Sequence, residues 1–167
     1  VGSEMCIRDS AGAKAILDLP KTLEVLETSG VPVIAFGQDA FPAFWSRESG
    51  LPAPLRMDSP EEISRAARMR AAMGLPGGQL IANPIPEADE IAADTLAPVI
   101  AAALDAAARA NIAAKAVTPF LLDHIFHATG GASLTANIAL VKNNARLAAR
   151  IAQGFAALDG GGENTGD

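Results

Sequence analysis

The chain has 167 residues, a length that suits one ordinary domain or part of a larger one. Nineteen Asp and Glu against thirteen Lys and Arg give a formal net charge of −6, which excludes the basic surface expected of a protein that binds duplex DNA or an anionic membrane. The single cysteine excludes an intramolecular disulfide framework and fits a reducing cytoplasm, and the 50% hydrophobic content excludes a disordered chain.

Both ends of the sequence differ from the middle. Val1–Ser10 shows neither strand alternation nor a helical apolar stripe and is too polar for a signal peptide. We interpret it as a non-native leader, which leaves Cys6 without a catalytic role. Asp159–Asp167 is polar and rich in glycine and is predicted to be a disordered tail. Residues 11–158 then form the domain.

Strand and helix signals alternate along this domain. Short apolar runs predict buried strands at Val31–Phe36 and Gln79–Ala82, and a further short strand is expected at Leu55–Met57. Helical periodicity with stop signals predicts helices at Lys21–Thr28, Pro60–Met73, Asp94–Ala110, Thr118 to Gly130, and Ser133–Leu158. This order predicts a layered α/β/α domain with a mainly parallel sheet. So few strands are visible that we expect the domain to be truncated at its N-terminal side.

Local signals predict where several helices begin. Ser59 and Glu62 have the spacing of a capping box, with Pro60 at the first helical position. Thr118 and Ser133 are predicted caps of the last two helices, and the long alanine-rich helix tolerates Pro98 only in its first turn.

Lys14 is the first candidate for chemistry. It follows the small residues Ala11–Ala13 at a strand-to-helix turn, where a ligand can approach closely. A lysine in such a pocket can have a lowered pKa and attack a carbonyl or latent aldehyde. Local sequence alone favours the alternative, a solvated surface lysine.

Three asparagines in the last helix form a second candidate. Asn137 and Asn144 are seven residues apart and share a helical face, and Asn143 adjoins them. Amides on a partly apolar face suggest that a polar group is read in a pocket. Hydrogen bonding between helices explains the pattern equally well.

Two further groups carry weaker signals. Asp123, His124 and His127 are metal-ligand types, but without a third clear ligand a solvated helix face explains them better. Arg47 and Glu48 follow the tryptophan of a loop, where an ion pair at the rim is the simple interpretation.

Several short blocks, in order over residues 11–155, resemble the pseudouridine-5'-phosphate glycosidase family, also called indigoidine synthase A-like. The blocks are Ala11–Lys14 with Ile16–Asp18, Gly30–Ile34, Phe41–Phe44, Asp58–Ile63, Ala82–Pro86, Thr118–Leu122, Thr129–Gly131, Ser133–Ile138 and Val141–Ala145.

This resemblance implies reversible cleavage of the C–C glycosidic bond of pseudouridine 5'-phosphate to uracil and ribose 5-phosphate. Lys14 matches the nucleophile of the family's AGAK motif, which holds the sugar as a Schiff-base adduct, and Asn137 matches an asparagine that positions the substrate. The resemblance also implies manganese and a homotrimer. It places the metal ligands, the general-acid glutamate and the phosphate ligands before the AGAK motif, so we expect no metal ligand in this chain.

We therefore expect the chain to be the C-terminal half of such an enzyme and to be inactive alone. The alternative is a non-catalytic small-molecule binding or helical interaction domain. Apart from the small-molecule substrate and the homotrimer of the full-length form, we expect no nucleic-acid polymer and no membrane as partner.

Overall fold

The computed structural model describes residues 7–10, 18–113 and 116–160, with residues 7–10, 159 and 160 described by their backbone alone. Within these ranges, four short strands form one parallel sheet in the spatial order β1-β4-β2-β3. The strands are β1 (Ile7–Ser10), β2 (Val33–Phe36), β3 (Leu55–Met57) and β4 (Gln79–Ala82).

Five α-helices accompany the sheet in the described ranges. They are α1 (Leu19–Thr28), α2 (Pro60–Ala72), α3 (Ala93–Arg109), α4 (Val117–Ala128) and α5 (Ala132–Gly160). A single 3-10 turn, Glu87–Asp89, lies between β4 and α3. None of these helices combines the length and apolarity that a membrane span requires.

Alternate side chains of the central strands enter cores on opposite faces of the sheet. Ile34 and Ile81 point to the face covered by α2 and α5, where they pack with Ile63, Leu147 and Ile151. The other face is covered by α1 and the loop after β2, and its cluster joins Val33, Leu80 and Ala82 with Leu23, Leu26 and Phe41. The predicted layered α/β/α architecture with a parallel sheet is confirmed.

A third cluster lies among α3, α4 and the first half of α5. Its buried members include Trp45, Ile85, Leu96, Leu121, Ile125 and Leu140. Because Trp45 follows β2 and Ile85 follows β4, this cluster joins the helices to the loops at one end of the sheet.

The helix starts of α1 and α2 follow from local caps. The Ser59 hydroxyl accepts from the N–H of Glu62 at 3.2 Å, and the Glu62 carboxylate accepts from the N–H of Ser59 at 3.1 Å, so the predicted capping box is confirmed. Asp18 accepts from the N–H of Lys21 at 3.0 Å, which lets α1 begin at Leu19, two residues earlier than predicted.

Strand β1 was not foreseen. The prediction of no regular structure in Val1–Ser10 was wrong for Ile7–Ser10, which pairs in parallel with β4. The reason is that ladder hydrogen bonds come from the backbone, so a four-residue strand forms without an alternating side-chain pattern.

Two predicted caps were wrong. Helix α4 begins at Val117, directly after Ala116 at the cap position, so Thr118 is already helical. Helix α5 begins at Ala132, so Ser133 is already helical, and its N–H donates to the hydroxyl of Thr129 at 3.2 Å.

The position of Pro98 also differs from its prediction. It lies in the second turn of α3 rather than the first, since the helix begins at Ala93. The ring nitrogen cannot donate to the carbonyl oxygen of Asp94, and the helix continues to Arg109 without that bond.

Candidate active site

The carboxyl ends of β1 and β4 lie side by side, because Ser10 pairs with Ala82 in the parallel ladder. Ligand sites of open α/β sheets form at this edge. The Ala11–Lys14 segment follows β1 directly, and Asn83 follows β4. Lys14 itself lies outside the described residues, so its predicted role stays a prediction.

The segment from Asn83 to Pro86 is fastened to α5 by two amides. Nδ2 of Asn83 donates to Oδ1 of Asn144 at 3.1 Å, and Nδ2 of Asn143 donates to the carbonyl oxygen of Pro84 at 3.0 Å. Asn83 is only 3% exposed. Asn143 and Asn144 therefore bind the segment after β4. This partner differs from both predicted ones, a ligand in a pocket and a neighbouring helix.

Asn137 lies two helical turns before Asn144 at the margin of the buried face of α5. Its side chain is half-buried and makes no hydrogen bond within the described part of the chain. Leu134, Ile138 and Val141 adjoin it on the exposed side of the helix. The donor and acceptor atoms of this amide can therefore hydrogen-bond to a polar ligand that lies beside an apolar surface.

A tight turn after β2 places Trp45 next to the start of α5. The turn joins Ala43 and Ser46 by backbone hydrogen bonds in both directions, and Phe44 between them has a φ of +62°. This left-handed conformation is strained for a bulky residue. The indole N–H of Trp45 then donates to the carbonyl oxygen of Ser133 at 3.1 Å.

Arg47 joins the same loop to the segment after β4. Its Nη1 donates to the carbonyl oxygen of Ile85 at 2.8 Å, and its backbone N–H donates to Oε1 of Glu90 at 2.7 Å. Within the described ranges the guanidinium has no carboxylate within 4 Å, so an ion pair with Glu48 is not formed. The guanidinium instead braces the backbone that leads from β4 to α3.

Charges cluster at the end of β3, away from the β1–β4 edge. Arg56 pairs with Asp58 at 2.8 Å and with Asp39 at 2.9 Å. The hydrogen bond to Asp58 and the charge of Asp39 raise the pKa of the Arg56 guanidinium, which stays protonated in any case.

The histidines of α4 do not form a metal site with other described residues. Nδ1 of His127 lies 2.9 Å from the carbonyl oxygen of Asp123 at the helix surface, and His124 stacks on Phe120. Across residues 7–10, 18–113 and 116–160, no three His, Cys, Asp or Glu side chains are grouped to hold a metal ion. The described residues therefore offer no set of side chains that fits a manganese centre.

Sequence reasoning missed Asn83, whose amide is central to this edge. The signal available was a polar residue between a buried strand and a proline, where a side chain must satisfy nearby backbone and side-chain groups. It also missed the anchoring role of Trp45, because nothing local indicates a partner 88 residues away.

Comparison with known families and proteins gives a consistent set of similarities. Residues 4–154 match the family described as Indigoidine synthase A like protein. A protein of Jannaschia sp. named pseudouridine-5'-phosphate glycosidase is 69% identical over 144 residues, which are 86% of this chain and 48% of that protein. A relative of the same name from Paracoccus denitrificans is 68% identical over 147 residues, 88% of this chain and 48% of the relative.

Two solved structures share the fold. The prealnumycin C-glycosynthase AlnA, in complex with ribulose 5-phosphate, superposes with a TM-score of 0.84 and 34% identity over 92% of this chain and 51% of its own. An indigoidine synthase A-like protein from Thermotoga maritima gives a TM-score of 0.79 and 35% identity over 90% of this chain and 49% of its own. The chain spans about half the length of the curated relatives it matches.

Proposed function

The chain belongs to the indigoidine synthase A like family, and from that premise we propose that it serves reversible cleavage of pseudouridine 5'-phosphate to uracil and ribose 5-phosphate. The observation that carries this proposal is the 69% identity to a relative named for that activity. The fold supports it, because the lysine motif directly follows β1 at the sheet edge where Asn83 is anchored.

Lys14 is the proposed nucleophile. Its neutral amine attacks C1' of the ribose and displaces the ring oxygen, and the new ammonium nitrogen loses a proton as that oxygen gains one. The nitrogen lone pair then forms an iminium as the C1'–C5 bond breaks, and C5 of uracil takes a proton. Water hydrolyses the iminium to ribose 5-phosphate and restores the amine. The nitrogen lone pair stabilises the electron-deficient C1' as the bonding pair leaves with C5 of uracil, and this assists departure of a carbon group that has no lone pair for a carboxylic acid to protonate.

Asn137 is the proposed substrate-positioning residue. An amide offers both donor and acceptor atoms, which match the donor and acceptor edge of a uracil ring or the hydroxyls of a sugar. Its half-buried position beside Leu134 and Val141 suits a ligand with one polar edge and one apolar face.

Further properties are proposals on the strength of family resemblance. We infer a cytoplasmic homotrimer that uses manganese, with metal ligands in the part of the relatives that this chain does not match. We also infer that the 167-residue chain alone releases no uracil from the substrate.

The test uses a whole-length enzyme in which residues 11–158 of this chain replace the matching segment of the Jannaschia relative, called here the chimera. Borohydride reduction in the presence of ribose 5-phosphate should add one sugar phosphate to Lys14, located by peptide mass spectrometry. The chimera should release uracil from pseudouridine 5'-phosphate, and Lys14→Ala should abolish both uracil release and labelling.

The matched control is Lys21→Ala, which removes an exposed lysine of α1 and should leave both readouts unchanged. Labelling that persists in Lys14→Ala would reject Lys14 as nucleophile. A folded chimera with no uracil release would reject the activity for this sequence, and uracil release by the purified 167-residue chain would contradict its proposed inactivity.

A further inference from the structure

Asn137 is held between two anchors on the same helix. Four residues before it, the carbonyl oxygen of Ser133 accepts from Trp45. Seven residues after it, Oδ1 of Asn144 accepts from Asn83. A rise of about 1.5 Å per residue places these anchors about 6 Å and 10 Å from Asn137 along the helix axis.

The second anchor connects α5 to the carboxyl ends of β4 and β1, and β1 is the strand that precedes Lys14 in sequence. Asn83 follows Ala82 of β4, and Ala82 pairs with Ser10, the last residue of β1. Only three residues separate Ser10 from Lys14. The Asn83–Asn144 hydrogen bond therefore relates the helix that carries Asn137 to the strand that leads to the nucleophile.

Burial makes this bond restrictive. Asn83 is 3% exposed, so its amide cannot exchange a lost partner for bulk water without rearrangement. Sliding α5 by one residue would move Asn144 by about 1.5 Å and break the bond. The neighbouring bond from Asn143 to Pro84 constrains the same register.

We propose that Asn83 and Asn144 are positioning residues that set where Asn137 lies relative to the carboxyl end of β1, the strand that precedes the lysine motif in sequence. This rests on the proposed function, because Asn137 and Lys14 take their roles from it. Neither Asn83 nor Asn144 contacts the substrate in this proposal, and each acts through the placement of α5.

The first experiment compares two substitutions of Asn144 in the chimera. Asn144→Asp keeps an acceptor oxygen for Asn83 and should retain kcat/KM within about threefold. Asn144→Leu keeps the size but removes the acceptor, and the displaced helix should lower kcat/KM by about 10- to 100-fold. Circular dichroism and the unfolding midpoint show whether each variant is folded.

A double-mutant cycle separates positioning from general destabilisation. In an Asn137→Ala background, Asn144→Leu should cost less than about twofold further in kcat/KM, because the residue it positions is already gone. The proposal would be overturned if the fold-loss in kcat/KM of the double variant equals the product of the two single fold-losses. It would also be overturned by a folded Asn144→Leu variant with unchanged kcat/KM.

If Asn144→Leu does not fold, the paired variant Asn83→Leu with Asn144→Leu replaces it, since removing both partners leaves no unpaired amide. This variant should fold and still lose about tenfold in kcat/KM, because an apolar contact does not fix register. Wild-type kcat/KM in the folded pair would overturn the proposal. Failure of the proposed function is distinguishable, because the unsubstituted chimera would then neither release uracil nor label at Lys14.

Discussion

The indole N–H of Trp45 donates to the carbonyl oxygen of Ser133 at 3.1 Å, and this bond fastens the loop after β2 to the first turn of α5. Trp45 is 2% exposed and packs edge-on against Phe44 with ring centroids 4.9 Å apart. The strained φ of Phe44 is thus compensated by burial of the adjacent indole, and the start of the Asn137 helix is fixed by a loop residue.

Trp45→Phe should destabilise the 167-residue chain by about 2 kcal/mol, because it removes the indole donor and leaves space in a packed cluster. Urea unfolding followed by circular dichroism measures the change, since the only tryptophan is lost. Phe120→Leu trims a half-buried ring on the same cluster, removes no hydrogen-bonding atom and should cost less. Equal losses would show that the hydrogen bond contributes nothing.

The capping box of α2 predicts a second stability effect. Ser59→Ala removes the acceptor for the N–H of Glu62 and should lower the free energy of unfolding by about 1 kcal/mol. Ser59→Asp keeps an acceptor at the cap and should lie within about 0.5 kcal/mol of the parent chain. The same urea titration decides, and an alanine variant as stable as the aspartate variant would contradict the assignment of the cap.

The sequence predicted the elements whose signal is local. The strands at Val33–Phe36 and Gln79–Ala82 lie in short apolar runs, and α2 begins at its capping box as predicted. Strand β1 could not be predicted, because its pairing with β4 depends on backbone groups 72 residues apart in the ladder Ile7 to Gln79. A strand that is held only by backbone hydrogen bonds to its neighbour need not show alternating apolar and polar residues in its sequence.

In the candidate site, too, local features were predictable from the sequence and tertiary partners were not. The spacing of Asn137 and Asn144 predicted a shared helical face, but it could not distinguish a ligand-binding amide from an anchoring one. That distinction depends on the partner, and Asn83 lies 61 residues from Asn144 in sequence. The resemblance to a family indicated Lys14 and Asn137 residue by residue, whereas the anchors emerge only from tertiary contacts.

Helix α5 packs closely on α2 at Gly154, and this contact determines whether a substitution there raises or lowers stability. Alanine is favoured over glycine in a helix by about 1 kcal/mol, so Gly154→Ala would ordinarily stabilise α5. Here a Cβ at position 154 would lie 2.5 Å from Oγ of Ser64, which is fully buried. We expect Gly154→Ala to destabilise the chain by about 1–3 kcal/mol instead, measured by urea unfolding.

The matched background for this prediction is Ser64→Ala. Without the hydroxyl, the nearest side-chain atom to the new Cβ is the Ser64 Cβ position at 3.2 Å. The cost of Gly154→Ala should then fall by at least about 1 kcal/mol relative to its cost in the parent chain. A cost that is the same in both backgrounds would place the strain somewhere other than the α2–α5 contact.

Gln79 presents the opposite case, a buried amide without partners. It begins β4 with 4% exposure, and neither its Nε2 nor its Oε1 has a hydrogen-bond partner in the described structure. An unpaired buried amide costs about 1–3 kcal/mol, so Gln79→Met, which keeps the length and removes the polar atoms, should stabilise the 167-residue chain by about 1 kcal/mol. Urea unfolding measures the difference.

Gln38 supplies the control for this substitution. Its Nε2 donates to the carbonyl oxygens of Ala40 and Arg47 at 2.8 and 2.6 Å, so Gln38→Met removes satisfied bonds and should destabilise the chain by about 1–2 kcal/mol. The two methionine variants should therefore shift the urea midpoint in opposite directions. A loss of stability in Gln79→Met as large as that in Gln38→Met would mean that the Gln79 amide has hydrogen-bond partners in solution, because only a satisfied amide stabilises the folded state to that extent.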